Sequence, residues 1–320
     1  MERGDEHGAR QAWRSAAESW RSCDRPVRAA KALAAAMRGA APDASSAALL
    51  AGVLQDSGQL QAARVSAEEA VAAATSPGTR VLSLDVLIGV LLVLGEVDSA
   101  RGRLVELRSV PIPAAQLAGA FRAARLDRLD GALDQAVQRL DAVVTALPAA
   151  DRRFAAPRAA ALHEIAEYSL LAGNLEQSRT VLGAARAAWG RSGRRPGALA
   201  AEGLAVRIQL AAGEVVIPSA LDNGIAFSDD RGLPLLGAEL RIARGRARAS
   251  ADAPGASVDF DEAVHQGRRA CAPLLEGRAR LWRWISGCPA DAGDREQIRR
   301  RLAIDRVLSR HPVLISPVDP

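Results

Sequence analysis

Residues 24 to 63 read DRPVRAAKALAAAMRGAAPDASSAALLAGVLQDSGQLQAA. Two helix-turn-helix units run into each other here, with small residues at matching places. Asp24-Arg25-Pro26-Val27-Arg28-Ala29 is followed 34 residues later by Gly58-Gln59-Leu60-Gln61-Ala62-Ala63; each sets a turn residue, then an apolar residue, then an alanine. The turn recurs at Gly95-Glu96-Val97-Asp98-Ser99-Ala100, Gly131-Ala132-Leu133-Asp134-Gln135-Ala136 and Gly173-Asn174-Leu175-Glu176-Gln177-Ser178, and starts again at Gly213-Glu214-Val215. Successive spacings are 34, 37, 36, 42 and 40 residues. A period in this range, with a glycine closing one helix and a polar residue opening the next, marks an array of stacked helical hairpins.

Composition agrees with such an array. The chain has 320 residues, 49% of them hydrophobic but only 3% aromatic. The core must therefore be built of alanine and leucine at close helix spacing, and the β-branched and aromatic residues that strands prefer are thin. A single compact core would be near its upper size at this length, whereas a solenoid grows by adding layers.

The units resemble the tetratricopeptide repeat. In the first, Trp13, Ala16, Ala17, Trp20, Ala29, Leu33, Ala36 and Pro42 fall on that family's pattern of aromatic and small residues. The second offers Ala47, Leu50, Ala51, Leu54, Ala63, Ala67 and Ala70, and the third Leu84, Leu87, Ile88, Leu91, Ala100, Leu104 and Leu107. A fourth fits through Ala120, Ala123, Ala124, Ala136, Leu140, Val143 and Pro148. After Gly173 the match decays: Ser178 stands in place of an alanine and Pro218 takes the corresponding place after Gly213. The resemblance implies an all-α fold, an α-solenoid of about eight antiparallel helix pairs in a right-handed superhelix. Residues 1–190 form the repeat array, 191–310 continue it or form a second lobe, and 311–320 form a proline-rich tail.

In the resembled family the first helix of each pair lines the concave groove, so polar residues on those helices are the candidate partner-binding set. Arg122, Arg125 and Arg128 recur every three residues and form a slowly rotating stripe. The resemblance implies an acidic peptide or a C-terminal carboxylate as guest. The residues alone also allow a solvated face neutralised by Asp127, Asp130 and Asp134. Arg241, Arg244 and Arg248 make a second stripe, Arg14 and Glu18 lie on the first helix, and His163 and Glu167 share a face in the fifth pair. His163-Glu164-Ile165-Ala166-Glu167 resembles a zinc-protease motif only superficially, because the second histidine is missing. No metal site and no cofactor site is expected. Gly190 to Gly197, the most Gly- and Arg-rich segment, reads as a flexible connection between repeats.

Charge and cysteine content narrow the function classes. The net charge is +5, and all the excess lies after residue 230, where 16 basic residues face 11 acidic ones. Lys31 is the only lysine against 41 arginines, which reads as compositional bias. No recognition motif accompanies the charge, so nucleic acid is not the expected partner. Cys23, Cys271 and Cys288 are too scattered for a disulfide framework, which fits the cytoplasm. The charged N-terminus lacks a secretory h-region, and the apolar run Val86 to Leu94 is half of a membrane span, so no membrane association is expected.

No nucleophile motif, Walker lysine or paired Cys and His is present, and an enzyme is not expected. The expectation is a scaffold or adaptor that binds another protein's peptide or helix in its groove. A second reading is the regulatory arm of a bacterial signalling system acting in trans, since similar Ala- and Arg-rich repeats accompany LuxR-type regulators and CHAT proteases. A third is end-to-end self-assembly, which the charged last helix with Arg299, Arg300, Arg301 and Asp305 disfavours.

Overall fold

Each of the six recurring turn residues adopts the left-handed conformation, with φ of 55° at Asp24, 73° at Gly58, 78° at Gly95, 83° at Gly131, 82° at Gly173 and 72° at Gly213. Glycine meets this demand without a Cβ clash. The residue after each of the five glycines donates its N–H back to the carbonyl five positions earlier: Gln59 to Leu54, Glu96 to Leu91, Ala132 to Asp127, Asn174 to Ser169 and Glu214 to Gln209, at 2.8–3.0 Å. These bonds satisfy orphan carbonyls at the helix end and aim the chain straight into the next helix. A seventh copy, with no glycine to announce it, closes at Cys271 (φ 56°), where Ala272 N–H bonds the Gly267 carbonyl.

The computed structural model describes residues 23–37, 43–252, 254–288, 294–303 and 305–308, with isolated residues between 12 and 19. Trp13, Trp20, Arg14, Glu18 and the tail 311–320 lie outside the described residues. All regular structure within them is helical. The helices are α1 (Pro26–Met37), α2 (Ala44–Asp56), α3 (Leu60–Ala73), α4 (Pro77–Leu94), α5 (Val97–Arg108), α6 (Pro113–Leu129), α7 (Leu133–Ala146) and α8 (Ala155–Leu171). They continue as α9 (Leu175–Ser192), α10 (Arg195–Ala211), α11 (Asp222–Arg231), α12 (Pro234–Ser250), α13 (Ala256–Arg269), α14 (Pro273–Ile285) and α15 (Asp294–Leu302), with 3-10 turns at Arg152–Phe154 and Pro218–Leu221.

The residue five places beyond the turn is the pivot of each pair. Ala29, Ala63, Ala100 and Ala136 have no exposed surface, and neither does Ser178. A methyl group there lets the two helices of a hairpin approach closely. Ser178 keeps the place because its hydroxyl donates to the Ala166 carbonyl at 2.6 Å, so no polar group is left unmet. Neighbouring helices pack in order, and first helices also meet across one repeat, α2 on α4 and α8 on α10. This is a helical-repeat solenoid in its local construction.

The chain divides into two compact units, residues 1–122 with 229–234, and residues 123–228 with 235–320. In the first, Arg25 pairs with Asp230 and Arg231 donates to the Cys23 carbonyl at 2.7 Å, which attaches 229–234 to the start of α1. The apolar helix α4 lies in this unit; it is long and apolar enough by composition to span a membrane, and Leu84, Leu87, Ile88, Val90 and Leu91 are buried within the protein. In the second unit, helix pairs on both sides of residue 190 pack into continuous clusters. One joins Leu162, Leu182 and Ala185 to Leu204 and Ile208, and another joins Leu199 and Leu221 to Leu240. Trp284 packs against Leu281, Ile298 and Leu302, so the last helix covers it.

α3 and α4 separate at residues 74–76, where Ser76 and Thr79 form a reciprocal cap with Pro77 in the first turn of α4. One segment differs from the sequence reading. Gly190 to Gly197 is not a flexible loop. Only Gly193 and Arg194 separate α9 from α10. Gly197 sits against the Trp189 indole, where an added Cβ would lie 2.5 Å from the ring. Its glycine content serves close packing.

Two glycines make a paired prediction. A Cβ at Gly267 would lie 2.9 Å from the Glu276 backbone nitrogen and 3.2 Å from its Cα, which cannot swing away, whereas Gly102 in α5 has nothing within 4 Å. Gly267→Ala should lower unfolding stability by about 1–3 kcal/mol and Gly102→Ala should raise it by about 0.5–1 kcal/mol. Urea midpoints of the two variants would check both signs.

Candidate functional site

Arginines on the first helices are answered by carboxylates one repeat away. In the first unit, Arg122 on α6 binds Asp85 on α4 through two hydrogen bonds of 2.7 and 3.0 Å. Gly89, one turn beyond Asp85, leaves room for the guanidinium; a Cβ there would lie 3.0 Å from Arg122 Nη1. In the second unit, Arg125 donates to Glu164 on α8 with Nε at 2.7 Å. Arg207 on α10 reaches Glu167 at 2.8 Å, and Arg278 on α14 grips Glu239 on α12 at 2.8 and 2.7 Å. The partners are 37, 39, 40 and 39 residues apart, which is the spacing of the turns. The helical repeat thus carries a charge repeat.

The polar faces of α6, α8, α10, α12 and α14 converge in the second unit. Arg128 donates at 2.7 Å to Asp305, which is completely buried and whose other oxygen accepts the N–H groups of Val307 and Leu308. Arg306 N–H also bonds the Leu129 carbonyl at 2.8 Å, so the segment after α15 is fastened to the end of α6. Glu164 retains 9% of its side-chain exposure and accepts the Tyr168 hydroxyl at 2.9 Å. Burial and then the Glu164 charge push the Tyr168 phenol well above its ordinary range. Burial alone would raise the Glu167 carboxyl, yet Arg207, Arg278, His163 and Arg128 together outweigh it and hold Glu167 well below the usual carboxylate range. His163 is pushed the other way: burial lowers its pKa against the pull of Glu167 and Glu164. It is neutral at pH 7, and its Nδ1 is buried without a hydrogen-bond partner.

The second arginine stripe is also engaged. Arg244 binds Asp259 on α13, and Asp222 on α11 at 2.5 Å, while Arg248 reaches Asp259 at 2.9 Å. Asp259 is 2% exposed. Arg241 is buried along α12, its Nη1 in space that a Cβ at Gly237 would invade at 2.9 Å. Glu276, 3% exposed, gathers Arg268, Arg280 and Arg301 at 3.2 Å and so joins α13, α14 and α15.

Of the residues singled out in the sequence, Arg125, Arg128, His163 and Glu167 are brought together; Arg244 and Arg248 form a separate cluster around Asp259, and Arg122 lies in the first unit. Each arginine of the first stripe has a carboxylate of its own chain. Among the described residues no group of three His, Cys, Asp or Glu side chains is placed to hold a metal ion. Sequence reading missed Arg207, Glu239 and Arg278, and it placed Asp305 on the charged last helix, whereas Asp305 follows α15 and is completely buried. A signal existed: acid and arginine recur at the repeat spacing on first helices. Asp305 carries no such signal, because its partner is 177 residues away.

No protein-family model matches the chain, and no curated protein matches it. Among solved structures, it is similar to a tetratricopeptide repeat protein from Parabacteroides merdae ATCC 43184, at 16% identity and a TM-score of 0.43, over 85% of this chain and 99% of that one.

Two outcomes test these charge clusters. Asp259→Ala strands two arginines beside a nearly dry site and should cost about 3 kcal/mol or more, read from urea unfolding at pH 7.5. The second concerns pH. The folded state holds His163 below its ordinary value of 6.5 and Glu167 below 4.5, so the unfolded chain binds more protons in acid. The sign is therefore one of stability lost as pH falls, first below about 6.5 through His163 and then below about 4.5 through Glu167. His163→Gln should flatten the first part of that decline and leave the second.

Proposed function

We propose that this chain is a non-enzymatic interaction module working in the cytoplasm, and that a segment of a partner protein lies along the polar first-helix face of its second unit. The observation that supports this reading is the convergence of charged groups from five successive first helices on one face. Part of it stays open to water: the Glu239 side chain is 37% exposed and Arg125 33%. A purely structural seam would gain more from apolar contacts, since burying ion pairs seldom stabilises relative to well-packed hydrophobic residues. The chemistry suits a guest with acidic side chains or a free C-terminal carboxylate, which exchanges with Glu164 or Glu239 for their arginines. Because every exchange releases a carboxylate of the host, charge pattern sets specificity more than affinity.

A charge-swapped pair tests this. Glu239→Arg with Arg278→Glu keeps an ion pair at the same place and so leaves folding intact by circular dichroism. Wild type should enrich a partner from host lysate, and the double variant should retain less than a tenth of it. Equal enrichment by both would remove this face from the binding mechanism.

A further inference from the structure

Arg246 is the charged residue of this region that the ladder does not answer. It lies on α12, two residues beyond Arg244 and off both arginine stripes. Its guanidinium carbon stands 3.6 Å from the centre of the Trp282 ring on α14, stacked on the indole face. The nearest cations, Arg207 and Arg278, each hold a carboxylate, Glu167 and Glu239; among the described residues none forms an ion pair with Arg246. Burial, followed by the like charges of Arg207 and Arg278, presses the Arg246 pKa down to about 9, with no acidic group acting in the opposite direction. A guanidinium keeps its proton at that value near neutral pH, so a cation is held here without a counter-ion.

The same two side chains border a cavity of about 380 Å³. It is largely open to solvent, with Leu210, Ile285 and Trp282 on its apolar side and Ser250 and Ser286 among its polar lining. The volume is at the small end of what ligand pockets occupy, roughly 300–1,000 Å³. An aromatic platform, a few apolar side chains and one unanswered cation suit a ligand in two parts: a negative group and a flat or compact apolar body.

We propose that this cavity is a binding site for a small organic acid, whose carboxylate meets the free edge of Arg246 while its apolar body lies against Trp282, Leu210 and Ile285. The indole holds the guanidinium plane, and Arg246 lines the pocket, where its N–H groups would donate to a carboxylate in the forked geometry that arginine favours. An inorganic anion gains the charge contact but leaves Trp282, Leu210 and Ile285 wet. A neutral aromatic gains those apolar contacts but leaves Arg246 unanswered. Neither should match a molecule with both parts. The site differs in chemistry from the peptide-binding face above, where every arginine already has its carboxylate.

Isothermal titration of the full chain with benzoate, benzyl alcohol and inorganic phosphate tests the proposal. Benzoate should bind saturably with one site, and benzyl alcohol and phosphate at least tenfold more weakly. Arg246→Met, which removes the charge and keeps the packing volume, should weaken benzoate at least tenfold without lowering the unfolding midpoint. Ala249→Phe keeps Arg246 and fills the cavity, and should abolish binding; it decides the matter if Arg246→Met does not fold. No saturable benzoate binding by wild type, equal binding by the alcohol, or undiminished binding by both variants would overturn the assignment.

Discussion

A carboxylate removed from water must be met by a cation or lose its charge, and this constraint organises the second unit. Glu164, Asp259, Glu276 and Asp305 are all nearly or wholly buried, and arginines from neighbouring helices hold each one. Such pairs contribute little net stability, because desolvation offsets most of the attraction. Their effect is on alternatives. A helix that slid by one residue would leave a dry carboxylate unmet, at a cost of about 3–5 kcal/mol, so the pairs penalise wrong register in an array whose layers are otherwise much alike. Arginine suits the task better than lysine, since its fork reaches two acceptors at once, as Arg244 does with Asp259 and Asp222.

The ladder is needed because the apolar core is slight. Alanines fill the close-approach positions, and each adds only a methyl group, about 0.8 kcal/mol of burial. Leucines and isoleucines such as Leu84, Leu140, Ile165 and Ile208 carry the larger contributions between layers. Alanine packs anywhere that is close enough, so an alanine-rich interface is permissive about which face meets which. The charged pairs and the left-handed turns restrict what the methyl groups leave open.

Much of this was legible beforehand, for physical reasons that can be named. The glycine turns announce themselves because only glycine takes φ near 80° freely, and the pivot alanine follows at a fixed distance because the hairpin must close there. The turn at Cys271 was invisible because a residue with a Cβ had accepted that strain. Gly190 to Gly197 was misread because glycine in a loop and glycine under an indole look the same in a string of letters. The arginine stripes were seen but not their partners: helical periodicity shows which side chains share a face, and only the stacking of repeats decides what that face meets. Arg246 was missed for the converse reason, standing alone between the members of a stripe.

The short turns have a further effect on how the chain meets proteases. Arginine is abundant, yet between residues 43 and 252 it stands outside an α-helix only in the 3-10 turn at Arg152 and Arg153, and at Arg194. Proteolysis requires a locally extended backbone, which helices withhold until they open. Those positions bracket α8 and α9, the hairpin that carries Glu164 and Glu167. Within residues 43–252, the sites open to an enzyme that cuts after arginine therefore flank one whole repeat, the one on which the charge ladder is centred.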